Sequence, residues 1–174
     1  MPSETVDMEE MHLVLSDHVL VTAHVILERE RVLLLPLLPE HLLVLTGGSS
    51  LPGVLTRGDV DLHVRVAEKD FASTVNVLRK LHEVVHPEIW QSDLATFGVD
   101  ALLPTGVAVT PIGSVHDVLF TRTWQILADD SAELTGYNEM KASADAVSYE
   151  RRKNEFFDGL VARHPVSDLD ANAT

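Results

Sequence analysis

LTGGSSLPGVLTRGDVDLHVRV, residues 45–66, joins a small-residue turn to a segment of strict alternation. Val60, Leu62, Val64 and Val66 alternate with Asp59, Asp61, His63 and Arg65. That period of two predicts a strand with its apolar set on a core and its polar set on one open side. Two carboxylates a residue apart on one face suit a divalent cation. The turn Gly47-Gly48-Ser49-Ser50 offers backbone N–H groups and hydroxyls, which suit phosphate.

Working outward, the run His41-Leu42-Leu43-Val44-Leu45 ends in glycines and predicts a buried strand. Upstream of it, Ser16 and Asp17 are suited to cap a helix from about His18 to Leu35, which Pro36 and Pro39 stop. Downstream, Asp70 is suited to cap a helix from Phe71 to about Val85, with Val75, Leu78, Leu81 and Val85 at helical spacing and Pro87 at its end. Strands are expected over 94–99 and 106–110, separated by Pro104-Thr105-Gly106. Ser114-Val115-His116-Asp117 leads into a helical C-terminal third, with one piece around Trp124 to Leu127 and two more between Leu134 and Val161. Residues 1–10 read as a flexible leader, 11–163 as a single domain and 164–174 as a disordered tail. The expected architecture is α+β: a small mixed β-sheet covered by helices packed on one side.

The chain has 174 residues, 27 acids against 13 bases, a formal net charge of −14 and no cysteine. Its length suits one domain with a sizeable core. Disulfides and thiolate chemistry are excluded. The acidic balance opposes polyanions, so no nucleic-acid partner is expected, whereas a local site for magnesium or a small anion can stand against the global field. The N-terminus lacks the cationic region of a secretory signal. The apolar runs starting at Val19 and Val32 are interrupted short of the roughly 20 residues that cross a bilayer, so no membrane partner and a cytoplasmic location are expected.

Gly48-Ser49 followed ten residues later by Asp59-Val60-Asp61 resembles the nucleotidyltransferase signature. Gly48-Ser49-Ser50-Leu51-Pro52-Gly53 is similar to the Gly-Ser-Thr-Ser-Val-Pro-Gly of that superfamily's GrpB-type branch, one residue shorter. Tyrosine and lysine four apart, twice, extend the resemblance towards the C-terminus as Tyr137 with Lys141 and Tyr149 with Lys153, followed by Phe156. The likeness spans residues 40–157 and implies a nucleotidyltransferase-like fold. It also implies a Mg2+-dependent transfer of a nucleoside monophosphate from an NTP to a small-molecule acceptor. In that reading Asp59 and Asp61 hold the metal. Gly48, Ser49 and Ser50 cradle phosphates, Arg57 or Arg65 offsets charge in the transition state, and Lys141 or Lys153 reaches the triphosphate. One departure stands out: the strand at 106–110 carries no acid, where many active nucleotidyltransferases have a third carboxylate. Asp100 and Asp117 are the substitutes in view. The absence favours a second reading, a non-catalytic nucleotide-binding or interaction module of the same fold. A homo-oligomer is compatible with either.

His82-Glu83-Val84-Val85-His86 matches H-E-x-x-H, which on a helix is a zinc-hydrolase pattern. Pro87 follows at once, and the bland alternative is a half-exposed helix end. His63 shares a face with both aspartates, where a hydrogen-bonded strand histidine is the simpler assignment than a metal ligand. No lysine follows the glycines as in a P-loop, and the turn lacks the second glycine of a nucleophile elbow.

Overall fold

Val60, Leu62, Val64 and Val66 are all buried, so one face of this segment lies on a core as the alternation requires. The computed structural model describes residues 11–165. The leader at 1–10 and all but the first two residues of the expected tail lie outside them. In chain order the elements are β1 (Val14–Leu15), α1 (Leu20–Leu34), β2 (His41–Thr46), β3 (Leu55–Thr56), β4 (Val60–Val66) and α2 (Phe71–Leu81). They continue with β5 (Glu83–Val84), β6 (Ala95–Val99), β7 (Thr105–Pro111), α3 (Val115–Asp129), α4 (Ser131–Ser143) and α5 (Tyr149–Arg163). Five strands form a mixed sheet in the order β2-β4-β7-β6-β5. β4 and β7 run parallel at its centre, and the outer pairings are antiparallel. Among the described residues the fold is α+β, with five α-helices on a small mixed sheet.

The main core packs Ala23, Ile26, Leu27 and Leu34 of α1, and Val75 and Leu78 of α2, on Leu62, Val64, Phe97 and Val107 of the sheet. A second cluster joins the C-terminal helices through Ile126, Leu127, Tyr137 and Leu160, and reaches Val54 ahead of β3. Tyr137 stacks on Phe157 at 5.7 Å and meets Trp124 edge-on at 5.6 Å, the offset arrangements that aromatic quadrupoles favour. Because Val54 belongs to this cluster, the three C-terminal helices are fastened beside the glycine turn.

Helices do not sit on one side alone. His63 is buried on the polar face of β4, edge-on to Phe120 of α3 at 5.5 Å. The alternation places Asp61, His63 and Arg65 on one face, but α3 covers the far half of it. β2 is an edge strand, not a buried one, with Leu42 and Val44 exposed.

The expected N-caps do not form, whereas Ser114, not singled out as a cap, does cap α3, accepting from Asp117 N–H at 3.3 Å. Asp70 makes no cap bond, and neither Ser16 nor Asp17 caps α1. Ser16 is fully buried and serves the loop before β3 instead: its Oγ donates to the Leu51 carbonyl at 2.5 Å and accepts from Val54 N–H at 3.1 Å. Asp17 accepts from Gly53 N–H at 2.8 Å. Both side chains bond backbone where a loop offers unpaired groups, the same chemistry as capping applied to a distant segment.

Ser16→Ala leaves the buried Val54 N–H and the part-buried Leu51 carbonyl without their hydroxyl partner, and should lower unfolding free energy by about 1–3 kcal/mol in urea titrations. A variant as stable as the parent would show that water replaces the hydroxyl.

Candidate functional site

β2 ends at Thr46 and the chain turns immediately through Gly47, whose φ is +73°. A Cβ at Gly47 would lie 2.2 Å from Asp61 Oδ2, so glycine is required for conformation and for space. Gly53 has a similar φ of +75° with nothing within 4 Å of its Cβ position, so there the requirement is conformational only. The carboxylate of Asp61 therefore lies against the backbone of the turn.

The hydroxyls of the turn face inward. Ser49 is buried; its Oγ donates to the Asp59 carbonyl at 2.5 Å and lies 3.3 Å from Thr56 Oγ1. Ser50 Oγ donates to the Gly47 carbonyl at 2.6 Å. These hydroxyls shape the turn and tie it to the start of β4, which leaves the turn's backbone around Gly48 to meet a ligand. Asp59 is exposed just before β4, and Asp61 is half-buried within it.

α4 and α5 bring the cations. Tyr137 with Lys141 and Tyr149 with Lys153 each span one helical turn, so each pair projects from one face. Lys141 is buried at 4% exposure, and a Cβ on Gly48 would come 3.7 Å from its Nζ. Tyr149 is the centre of the group: Lys141 Nζ and Lys153 Nζ each lie 5.2 Å from its ring centroid, and the Arg57 guanidinium lies 4.6 Å away. Cations over an aromatic face are held by its quadrupole without neutralising their charge. The Tyr137 and Tyr149 hydroxyls are 3.4 Å apart.

The electrostatics of the pair follow from this crowding. Burial, then the charge of Asp59, push the Asp61 carboxyl up to about 6, while Lys153 and Lys141 pull the other way and Glu150 adds to the rise. Burial raises the Tyr137 phenol further out of its ordinary range. Glu150 itself pairs with Lys153 at 2.7 Å.

Arg65 is not brought to the aspartates. It stands four residues along β4 from Asp61, about 13 Å at strand rise, and forks onto Asp117 with Nε–Oδ1 2.6 Å and Nη2–Oδ2 2.9 Å. Burial alone would raise the Asp117 carboxyl; hydrogen bonds from Arg65 and Gly113 N–H hold it below its ordinary value. His63, 2.7 Å from Thr110 Oγ1, is pushed down to about 4, chiefly by burial. This network fastens α3 to the sheet and uses up both Arg65 and Asp117. Asp100 follows β6, where its carbonyl accepts from Arg29 of α1. On β7 the residue in register with Asp61 is Gly106, whose Cβ would sit 3.8 Å from Asp61 Oδ1. Neither substitute thus joins the pair, and among the described residues no three His, Asp or Glu side chains are grouped to hold a metal.

The helix expected to reach Val85 stops at Leu81. His82 is extended, Glu83–Val84 form β5 against Phe97 and Gly98, and His86 is left-handed at φ 47°. The β-branched Val84 and Val85 find a sheet edge to extend, and the tertiary pairing overrides helical periodicity. His82 faces Glu30 while exposed His86 faces Glu88 at 3.2 Å, so the two histidines do not converge and the zinc-hydrolase reading is withdrawn.

No family model and no curated protein matches the sequence. The structure is similar to the crystal structure of conserved protein GrpB from Enterococcus faecalis. The TM-score is 0.66 with 16% sequence identity, over 87% of this chain and 96% of that one. The fold is that of GrpB. Among the described residues no helix is long and apolar enough to cross a membrane. The sequence singled out Gly48, Arg57, Asp59, Asp61, Lys141 and Lys153, which the structure does assemble. It missed Tyr149 as the platform of three cations, although the four-residue Tyr-Lys spacing carried the signal.

A carboxyl whose folded-state value lies above the ordinary 3.8 binds more protons folded than unfolded between pH 3.8 and about 6. Stability is therefore lost as pH rises through that window, and the full penalty applies above it. Asp61→Asn cannot ionise, so in metal-free buffer at pH 7.5 it should be more stable than the parent by about 1–3 kcal/mol. The gain should vanish near pH 4. A destabilised variant at pH 7.5 would show that Lys141 and Lys153 hold Asp61 charged.

Proposed function

We propose that this protein binds a nucleoside triphosphate with magnesium and transfers its nucleoside monophosphate to a small acceptor. The observation that carries this reading is the convergence of two unlike groups on one glycine turn. Asp59 and Asp61 stand at it, and Arg57, Lys141 and Lys153 gather about Tyr149, with both lysines close enough to act on the Asp61 charge. A metal–triphosphate complex has both needs: hard oxygen ligands for the ion and cations for the phosphates.

The residues fit magnesium. Two neighbouring carboxylates, one of them pushed up to about 6 by burial and then by the other's charge, form a donor set that a small dication relieves. Magnesium typically takes one or two carboxylates and completes its shell with water and phosphate oxygens. Bound there, it supplies the neutralisation of developing charge that phosphoryl-type transfer requires. The chain's own residues do the rest. Gly47 and Gly48 remove side chains from the path of the phosphates. Lys141, buried, presents a fixed charge beside Gly48; exposed Arg57 and half-buried Lys153, which pairs with Glu150, add further positive charge. Arg65 has no part in this scheme, because its guanidinium is committed to Asp117.

The second reading, a nucleotide-binding module without turnover, is favoured by one observation: the third-carboxylate position in register with Asp61 is Gly106. Both readings require magnesium-dependent binding of ATP, weakened by about tenfold or more in Asp59→Asn and in Lys141→Met, as expected for loss of a charge-assisted contact. Calorimetry with and without EDTA measures it, and magnesium-independent binding would contradict both readings. Pyrophosphate release across an acceptor panel separates them.

Gly106→Asp supplies the missing carboxylate at a position with ordinary van der Waals room. If the pair is a metal site, this variant should bind magnesium about tenfold more tightly, on the scale of one added charged ligand. Unchanged affinity would place the metal elsewhere.

A further inference from the structure

α1 is apolar on two faces. Ala23, Ile26, Leu27 and Leu34 sit in the core, while Val21, Val25, Val32 and the capping residue Leu35 are 78%, 55%, 74% and 70% exposed. A helix laid on a sheet normally turns a polar face to water, and one that is apolar all round is normally covered on every side. Single exposed apolar side chains need no explanation, but a row of them along one helix marks a contact surface.

The row has the spacing of a helix seam. Val21, Val25, Glu28, Val32 and Leu35 stand 4, 3, 4 and 3 residues apart, the alternation that keeps one stripe facing another helix along its length. Glu28, the charged member, lies 3.6 Å from Arg31 and so enters the seam already paired.

Charge selects the occupant. The chain carries a net −14, yet the exposed charged residues of α1 are Glu28, Arg29 and Arg31, a local balance of +1 because Glu30 is buried. Two copies of an acidic chain repel each other least where this face meets itself. Antiparallel pairing about a two-fold axis level with Ile26 and Leu27 sets Val21 on the partner's Val32, and Val25 on the partner's Glu28. The next register of the seam, centred on Glu30, would set Arg31 on the partner's Arg31 and is disfavoured by like charge. A fully exposed Val or Leu offers on the order of 100 Å² of apolar surface, so the four residues contribute roughly 300 Å² per copy. At the apolar share of about 60% usual in interfaces, the footprint is roughly 1,000 Å² in all, the lower bound of a specific contact. We infer that α1 pairs antiparallel with α1 of a second copy of this chain, in a dimer of micromolar affinity.

Sedimentation velocity of the full chain, from low micromolar to millimolar concentration, should show a monomer passing into a dimer. Val25→Lys combined with Val32→Lys should raise the dissociation constant about tenfold or more and leave the circular dichroism unchanged. Leu42→Lys, on the exposed edge strand β2, should leave the dimer intact. Asp59→Asn should do the same, which separates this result from the fate of the magnesium–nucleotide reading. The chain has no cysteine, so the register can be read by cross-linking. Val21→Cys mixed with Val32→Cys should oxidise to a cross-linked heterodimer. Neither variant should cross-link with itself, because like positions lie about 16 Å apart along the seam. A chain monomeric at every concentration, as it would be if the leader at 1–10 or a different protein covered α1, would overturn the inference. So would a dimer that survives the paired lysines, one abolished by Leu42→Lys, or Val21→Cys cross-linking to its own copy.

Discussion

The arrangement depends on the close approach of one carboxylate to one glycine. Asp61 reaches back over the turn at Gly47, into space that any Cβ would occupy. That approach fixes where β2 ends and where β4 begins, since Thr46 and Asp61 are partners in the sheet. It also buries a charge. The carboxyl is held near half-protonation at about pH 6 by burial and by Asp59, in a site with two lysines nearby. A protein indifferent to ligands would gain stability by replacing this carboxylate with a neutral side chain. Strain and unfavourable charge of this kind gather where binding takes place.

Everything around the turn keeps that approach in place. Ser49 ties the turn to the backbone of Asp59, and Ser16 and Asp17 hold the following loop from the far side. Val54 then enters the aromatic cluster of the three C-terminal helices. This is why Lys141 and Lys153, 80 or more residues downstream, arrive beside Gly48 and Asp61. The Arg65–Asp117 fork performs the corresponding task at the other end of β4, locking α3 against the sheet.

Much of this was legible in the residues. Alternation from Val60 to Val66 is borne out by burial, and the expected helix over 18–35 forms as Leu20–Leu34. The Tyr-Lys pairs do meet the glycine turn. What periodicity cannot supply is the identity of the neighbour over a given face. Asp61, His63 and Arg65 share a side as expected, but α3 closes over His63 and takes Arg65, a choice made by distant residues. In the same way Ser16, Ser49 and Ser50 have the chemistry of caps and phosphate ligands, yet their hydroxyls go to backbone: Ser16 and Ser49 to distant segments, Ser50 to Gly47 within its own turn. His82 to His86 has helical spacing, yet a free sheet edge draws Glu83 and Val84 into β5.

The central claim is that the turn, the two aspartates and the Tyr149 cations make one magnesium–nucleotide site. A crystal structure with magnesium and a non-hydrolysable nucleoside triphosphate analogue tests it most directly. The account predicts an ion at about 2.1 Å from carboxylate oxygens of both Asp59 and Asp61, with the phosphates between Gly48 and Lys141. Nucleotide bound away from the turn, or an ion that ignores both carboxylates, would contradict it.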